Sequence, residues 1–187
     1  LIRHPPPAVA PGTCYGRSDL PLAGDPAAHA AGLRPLLPAG VPVYSSPLRR
    51  CRLLAERLHP APLFDERLRE IDFGDFEGLT YDDISKLYPA LYRQWMDQPT
   101  EVEFPNGESF SMMRSRVTRA VAALHDRHAG QSVALVTHGG AIRIVLADAL
   151  SVPSANVFRI AQRYAAINLI HFAGSHPVVE LVNGVLS

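Results

Sequence analysis

The stretch SVALVTHGGAIRIVLADAL, Ser132–Leu150, decides the fold. It opens on a short, unbroken apolar run rich in Val and Leu, which reads as a fully buried strand. It closes on an apolar-periodic run of helical length, and Gly139-Gly140 between the two reads as a turn. A buried strand passing directly into a helix is the unit from which parallel sheets are built, because parallel neighbours need a crossover of about a dozen residues or more.

Outward from this unit the same alternation recurs. DPAAHAAGLRPLL (25–37) is helix-compatible, with Asp25 as N-cap and Pro26 at the first helical position. VPVYSS (41–46) is a short strand ending in serines, and PLRRCRLLAERL (47–58) follows as a helix with Leu48, Cys51, Leu54 and Leu58 on one face. LREIDFGDFEG (68–78) is acidic and turn-rich. TYDDISKLYPALYRQWM (80–96) reads as a helix broken at Pro89, and TEVEFPNGES (100–109) as an irregular loop. Phe110, Met113, Val117, Val121 and Leu124 mark a long amphipathic helix. AINLIHF (166–172) and VVELVNG (178–184) read as closing strands joined near Gly174. At the other end, Leu1-Ile2 is the tail of a buried strand that Pro5-Pro6-Pro7 cannot continue. The expected fold is α/β, a mostly parallel central sheet with helices on both faces.

Composition narrows the function classes. With 187 residues, 47% of them hydrophobic, the chain can bury one substantial core, and a single domain over 1–187 is expected. Formal net charge is zero, so no global field draws in nucleic acid or an anionic membrane, and any basic site must be local. Cys14 and Cys51 fit neither a disulfide framework nor a metal-ligand spacing, so free thiols and a reducing, cytoplasmic compartment are expected. No run approaches the roughly 20 apolar residues of a membrane span, and no signal peptide is read. The absent initiator Met and the two-residue first strand suggest that a few residues upstream are missing. Beyond the final strand only Asn183–Ser187 remains, so no C-terminal tail is expected to cover a site.

The chemistry-bearing residues fall where strands end. Arg3-His4 follows one strand, Arg49-Arg50 stands in the first turns of the helix after another, and His138 follows a third, immediately before Gly139-Gly140. In a doubly wound sheet such ends converge on one edge, where helix N-termini also present free backbone N–H groups. Two guanidiniums, two imidazoles and a helix N-terminus suit a dianion, and phosphate best, since Arg forks match its oxygens and supply charge without a metal. Each piece also has an ordinary reading: a hydrogen-bonded structural His, a solvated Arg-Arg face, a tight Gly-Gly turn. Their joint placement just after predicted strands favours a shared site.

LIRH, SSPLRRCRLLAERL, LREIDFGDFEG, PNGESF and VALVTHGGAIR resemble, in that order, the successive signatures of the histidine phosphatase superfamily, which has the phosphoglycerate mutase-like fold. The resemblance implies His4 as nucleophile, Arg3 and Arg50 as phosphate-binding arginines with Gly139 beside them, His138 as second pocket histidine, protonated during transfer, and Glu70 as proton donor. Spacing alone does not separate Glu70 from Glu77, Asp72 or Asp75. The family's Arg-His-Gly is Arg-His-Pro here, which puts in doubt any phosphate contact through an N–H of residue 5.

GTCYGRSDLPL (12–22) is similar to a loop of α-ribazole phosphatases, enzymes of cobalamin biosynthesis, and that likeness places Cys14, Tyr15 and Arg17 over the pocket against the leaving group. The alternative is that Tyr15 and Leu20 pack the loop onto the sheet. Glu108 is expected to hydrogen-bond near the phosphate site, with a helix cap as its other role. Residues of about 78–108 form an expected helical lid in which Tyr88, Tyr92 and Trp95 either line the substrate mouth or pack the helix. The function so implied is metal-independent phosphomonoester hydrolysis through a phosphohistidine, with α-ribazole 5′-phosphate as one substrate, no cofactor and a small-molecule partner. The alternatives are a cofactor-dependent phosphoglycerate mutase and a non-catalytic phospho-ligand binder. A homodimer is one option for the assembly.

Overall fold

The computed structural model describes residues 1–174 and 176–184. Its strands are β1 (Ile2–Arg3), β2 (Val43–Ser45), β3 (Leu63–Phe64), β4 (Ala134–Thr137), β5 (Ile167–Ala173) and β6 (His176–Gly184). Its α-helices are α1 (Pro26–Leu33), α2 (Arg49–Leu58), α3 (Tyr81–Leu87), α4 (Pro89–Asp97), α5 (Phe110–Arg127) and α6 (Gly139–Ala149). The six strands form one sheet in the order β3-β2-β4-β1-β5-β6. β2 runs parallel to β3 and β4, and β1 parallel to β4, while β5 is antiparallel to both β1 and β6. The expectation about a C-terminal tail falls on Val185–Ser187, outside the described residues.

Local signals account for most boundaries. Asp25 caps α1 by accepting from the Ala27 N–H at 2.9 Å, with Pro26 at the first helical position. Thr80 and Asp83 form a reciprocal capping box at the start of α3. Pro89 separates α3 from α4. Gly139-Gly140 departs from the expected turn: both glycines already belong to α6, with His138 as its N-cap.

β4 is buried along its whole length. Its Ala134 and Val136 cluster with Ile2, Val43, Leu33 of α1 and Leu54 of α2, whereas Leu135 clusters with Tyr44, Leu68 and Ala120 and Leu124 of α5. A further cluster gathers Phe76, Ile84, Trp95, Phe104 and Phe110 with Ala141 and Ile144 of α6, tying α3, α4 and the 100–109 segment to the sheet. Because β1, β2 and β4 are parallel, Arg3, Ser45 and Thr137 end at the same edge. Two hydrogen bonds carry the ladder one residue further, from the His4 N–H to the Thr137 carbonyl and from the Ser46 N–H to the Val136 carbonyl, each 3.0 Å.

Phe76 has no exposed surface, and its ring centroid lies 4.9 Å from Tyr88, 5.9 Å from Trp95 and 5.5 Å from Phe104. Phe76→Ala should cost about 3–5 kcal/mol in denaturant unfolding, because both transfer energy and packing are lost. A loss below about 1 kcal/mol would mean that this cluster does not hold α3 and α4 to the core.

Candidate active site

The strand ends bring His4, Ser46 and His138 together. His4 is 2% exposed and His138 fully buried, with ring centroids 5.1 Å apart. His4 Nδ1 donates to the Pro5 carbonyl at 2.7 Å, which fixes the tautomer and leaves the Nε2 lone pair free. Pro5 therefore holds His4 through the carbonyl that proline keeps, not through the N–H that it lacks. His138 Nε2 lies 2.8 Å from Ser46 Oγ. Burial, and then the Arg50 guanidinium and Arg3, hold the His4 imidazole well below the ordinary value of 6.5, with the Pro5 carbonyl acting the other way. Burial, Arg50, His4, Arg3 and Arg116 do the same to His138. Both shifts favour neutral rings in the phosphate-free protein, whereas the protonated His138 expected during transfer belongs to the step with a phosphoryl group beside it.

Arg50 and Arg3 stand near these rings, and a third guanidinium, Arg143, lies beside Arg3. Arg50, in the first turn of α2, has no exposed surface; its Nη1 donates to the Ser18 carbonyl at 2.6 Å and its Nη2 to the Gly16 carbonyl. Arg3 donates Nη1 to the Gln162 carbonyl and lies 4.0 Å over the Tyr164 ring. The Nε groups of Arg3 and Arg50 are buried with no partner. Arg143 of α6 donates Nε to the Ile160 carbonyl at 2.8 Å. The glycines make room for this charge: a Cβ on Gly139 would stand 3.1 Å from Arg143 Nη1 and 3.3 Å from the Arg3 guanidinium, and one on Gly140 would strike Glu70 Oε1. Close approach, not a left-handed backbone, is what Gly139 and Gly140 supply.

Geometry separates the carboxylates. Glu70 lines the same cavity as Arg3 and His4, and its Oε2 accepts from the Gly140 N–H at 3.0 Å. Its backbone is pinned from two sides, since Thr137 Oγ1 donates to the Leu68 carbonyl at 2.7 Å and Arg116 donates to the carbonyls of Arg67, Arg69 and Glu70. Glu77 lies outside that lining and accepts from the backbone N–H groups of Gly16, Arg17, Ser18 and Phe73 and from the Ser18 hydroxyl. Burial pushes its carboxyl up, but these donors outweigh burial and hold it below the usual range. Glu108 is not brought to the pocket: it forms a buried two-bond pair with Arg116 at 2.6 and 2.7 Å, and Ser109, not Glu108, caps α5. Its link to the site is indirect, through the guanidinium that holds the Glu70 segment.

The cavity has a volume of about 350 Å³. Its lining includes Arg3, His4, Glu70, Gly140 and Arg143 together with Phe73, Trp95, Phe104, Phe110 and Phe158. Tyr15 lines it, its phenol 2.6 Å from that of Tyr164, with the Arg50 guanidinium 5.5 Å from the Tyr15 ring. Cys14 does not reach it, being 1% exposed and packed in the aromatic cluster, where burial pushes its thiol up to about 12. Arg17 turns away to Asp72 at 3.3 Å. Trp95 lines the cavity, whereas Tyr88 and Tyr92 pack beside it. A larger groove of about 860 Å³ beside α4 and α5 contains none of the expected site residues. Sequence reasoning missed Arg143, although it stands four residues after Gly139, a spacing at which a helical side chain leans back to the helix start. Tyr164 arrives from a segment with no motif.

The neutral imidazoles set a pH dependence. Their folded values lie below 6.5, so below pH 6.5 the unfolded chain binds protons that the folded chain refuses. The contribution of these two rings to stability should fall from pH 6.5 to 5.5, by up to about 1.4 kcal/mol per pH unit for each ring. Thermal melts of the wild type and of His138→Asn check this; equal slopes in the two would contradict it.

The family model for the histidine phosphatase superfamily (branch 1) matches residues 1–184. Phosphoserine phosphatase 1 of Hydrogenobacter thermophilus is 29% identical over 145 residues, covering 75% of this chain and 69% of that protein. The chain spans less than half the length of some other curated relatives that it matches and about three quarters of others. Among solved structures, Bacillus stearothermophilus YhfR superposes with a TM-score of 0.88 at 28% identity, covering 99% of this chain and 96% of that one. The α-ribazole phosphatase of Shigella flexneri superposes at 0.86 and 23% identity, covering 100% and 98%, a likeness of fold. With its strand-end histidines and arginines on one edge and the family match running from residue 1 to 184, the chain belongs to the histidine phosphatase superfamily.

Proposed function

We propose that the protein hydrolyses phosphomonoesters without a metal, through a phosphohistidine on His4. One observation carries the reading: a buried imidazole with a free Nε2 stands among guanidiniums, two of which keep a buried Nε without a partner. Arg3, Arg50 and the N–H groups at the start of α6 neutralise the phosphoryl oxygens, the dominant requirement in phosphoryl transfer. The His4 Nε2 lone pair forms the N–P bond as the P–O bond to the leaving group breaks, and Glu70 delivers its proton to the departing oxygen. Water then attacks the phosphorus, Glu70 takes a proton from it, and the N–P electrons return to Nε2 as phosphate leaves. His138, held on Ser46, orders the pocket beside the nucleophile.

The finer reading concerns the leaving group. The charged residues that line the cavity are those of the reacting end, while Phe73, Trp95, Phe104, Phe110 and Phe158 offer ring faces and edges to a flat apolar group. This supports a substrate with an aromatic leaving moiety, and with the 12–22 loop and the relative so named it supports α-ribazole 5′-phosphate. Residues of about 78–108, which contribute Tyr81, Trp95 and Phe104 to the lining, act as the lid over that group.

The test is phosphate release in EDTA from 1-naphthyl phosphate, α-ribazole 5′-phosphate and phosphoserine, with 3-phosphoglycerate as a mutase probe. Turnover should be unaffected by EDTA, faster on the two esters that carry an aromatic ring than on phosphoserine, and without appreciable interconversion of phosphoglycerates. Loss of turnover in EDTA with rescue by Mg²⁺, or mutase turnover exceeding hydrolysis, would refute the proposal. Glu70→Gln should lower kcat/KM for an alkyl phosphate by about 100-fold and far less for p-nitrophenyl phosphate, whose leaving group needs no proton. Equal losses on the two would remove Glu70 from the donor's role.

A further inference from the structure

Glu77 stands outside the cavity, yet it grips the loop that covers Arg50. The successive N–H groups of Gly16 (3.0 Å), Arg17 (2.8 Å) and Ser18 (3.1 Å) converge on its one carboxylate, a backbone nest filled by an internal anion. The carbonyls of the same segment point the opposite way, where Gly16 and Ser18 accept from the two Nη groups of Arg50. Gly16 allows this sandwich, since a Cβ there would strike the Ile71 carbonyl. Beyond it, Asp19 accepts from the Arg49 N–H at 2.6 Å and ties the loop to the start of α2.

We propose that Glu77 is a positioning residue for phosphate binding, which acts on Arg50 through the peptide groups of Gly16–Ser18. The geometry explains why a peptide bridge is used in place of an ion pair. A carboxylate directly against Arg50 would neutralise the guanidinium and compete with phosphate for its donors. Neutral carbonyls hold both Nη groups, leave the positive charge uncancelled and leave Nε as the donor with no partner. Glu77 keeps the Gly16 carbonyl aimed by accepting from the Arg17 N–H of the same peptide, and it holds Ser18, the other acceptor, through that residue's own N–H and hydroxyl. Tyr15, which precedes Gly16 and lines the cavity, is held by the same grip.

The inference rests on the phosphate-site reading, and its test separates the two. Inorganic phosphate binding is measured by calorimetry, and steady-state kinetics with p-nitrophenyl phosphate and an alkyl phosphate are run alongside. Glu77→Gln should weaken phosphate about tenfold and raise KM in parallel, with kcat changed much less and the loss equal on both esters. That pattern is the opposite of the one expected for a proton donor, and a merely structural role would lower Tm without moving phosphate affinity. Ser18→Ala, which removes one of the donors to Glu77, should give the same pattern at smaller size, and it decides the matter should Glu77→Gln fail to fold. Unchanged phosphate affinity in whichever variant folds, or a loss confined to the alkyl ester, would overturn the role of Glu77 and leave the phosphatase reading intact. A wild-type protein that binds no phosphate would overturn both.

Discussion

A guanidinium with no exposed surface and no carboxylate beside it governs this molecule. Burying a charge without a counter-charge costs several kcal/mol, and a protein keeps one only where something compensates. At Arg50 the compensation inside the chain is partial, consisting of two loop carbonyls on the Nη groups and nothing on Nε. Arg3 repeats the arrangement, with a carbonyl, an aromatic face and a bare Nε. The imbalance is what a dianion would correct, and it adds to burial in lowering both neighbouring imidazoles.

The rest of the architecture reads as the means of holding that imbalance. Parallel β1, β2 and β4 bring three strand ends to one edge, so His4, Ser46 and His138 meet without any long loop having to place them. Glycines at the start of α6 let a helix N-terminus approach arginines and Glu70 at distances that a side chain would forbid. The buried Glu108–Arg116 pair, distant in role from phosphate, sets the three carbonyls of the segment that delivers Glu70. Two internal carboxylates, Glu77 and Glu108, thus serve the site through backbone that they or their partner hold.

Much of this was legible in the sequence where the signal is local. The buried run 133–137, the Asp25-Pro26 cap and the break at Pro89 follow from periodicity and backbone chemistry, and strand ends predicted the meeting of Arg3, His4, Arg50 and His138. The failures share a cause, because they depend on which way a side chain turns once the loop is placed. Cys14, Tyr15 and Arg17 lie within four residues, yet only Tyr15 lines the cavity, while Cys14 enters the core and Arg17 pairs with Asp72. Glu70 and Glu77 are equivalent as letters in an acidic turn and become distinct only when one is seen to accept the nest of Gly16–Ser18. Gly139-Gly140 looked like a turn because a sequence does not record what a missing Cβ would strike. Pro5 looked like a loss because the contact that matters there uses a carbonyl.

The central claim is that His4 Nε2 is a nucleophile aimed at a phosphoryl group. Rapid quenching into base after mixing enzyme with excess p-nitrophenyl phosphate, followed by peptide mass spectrometry, tests it most directly. The account predicts one phosphoryl group on the peptide that contains His4, localised to that residue, stable in base and lost in acid. A steady-state turnover that leaves no phosphoryl group on the protein, or leaves it on a residue other than His4, would contradict it.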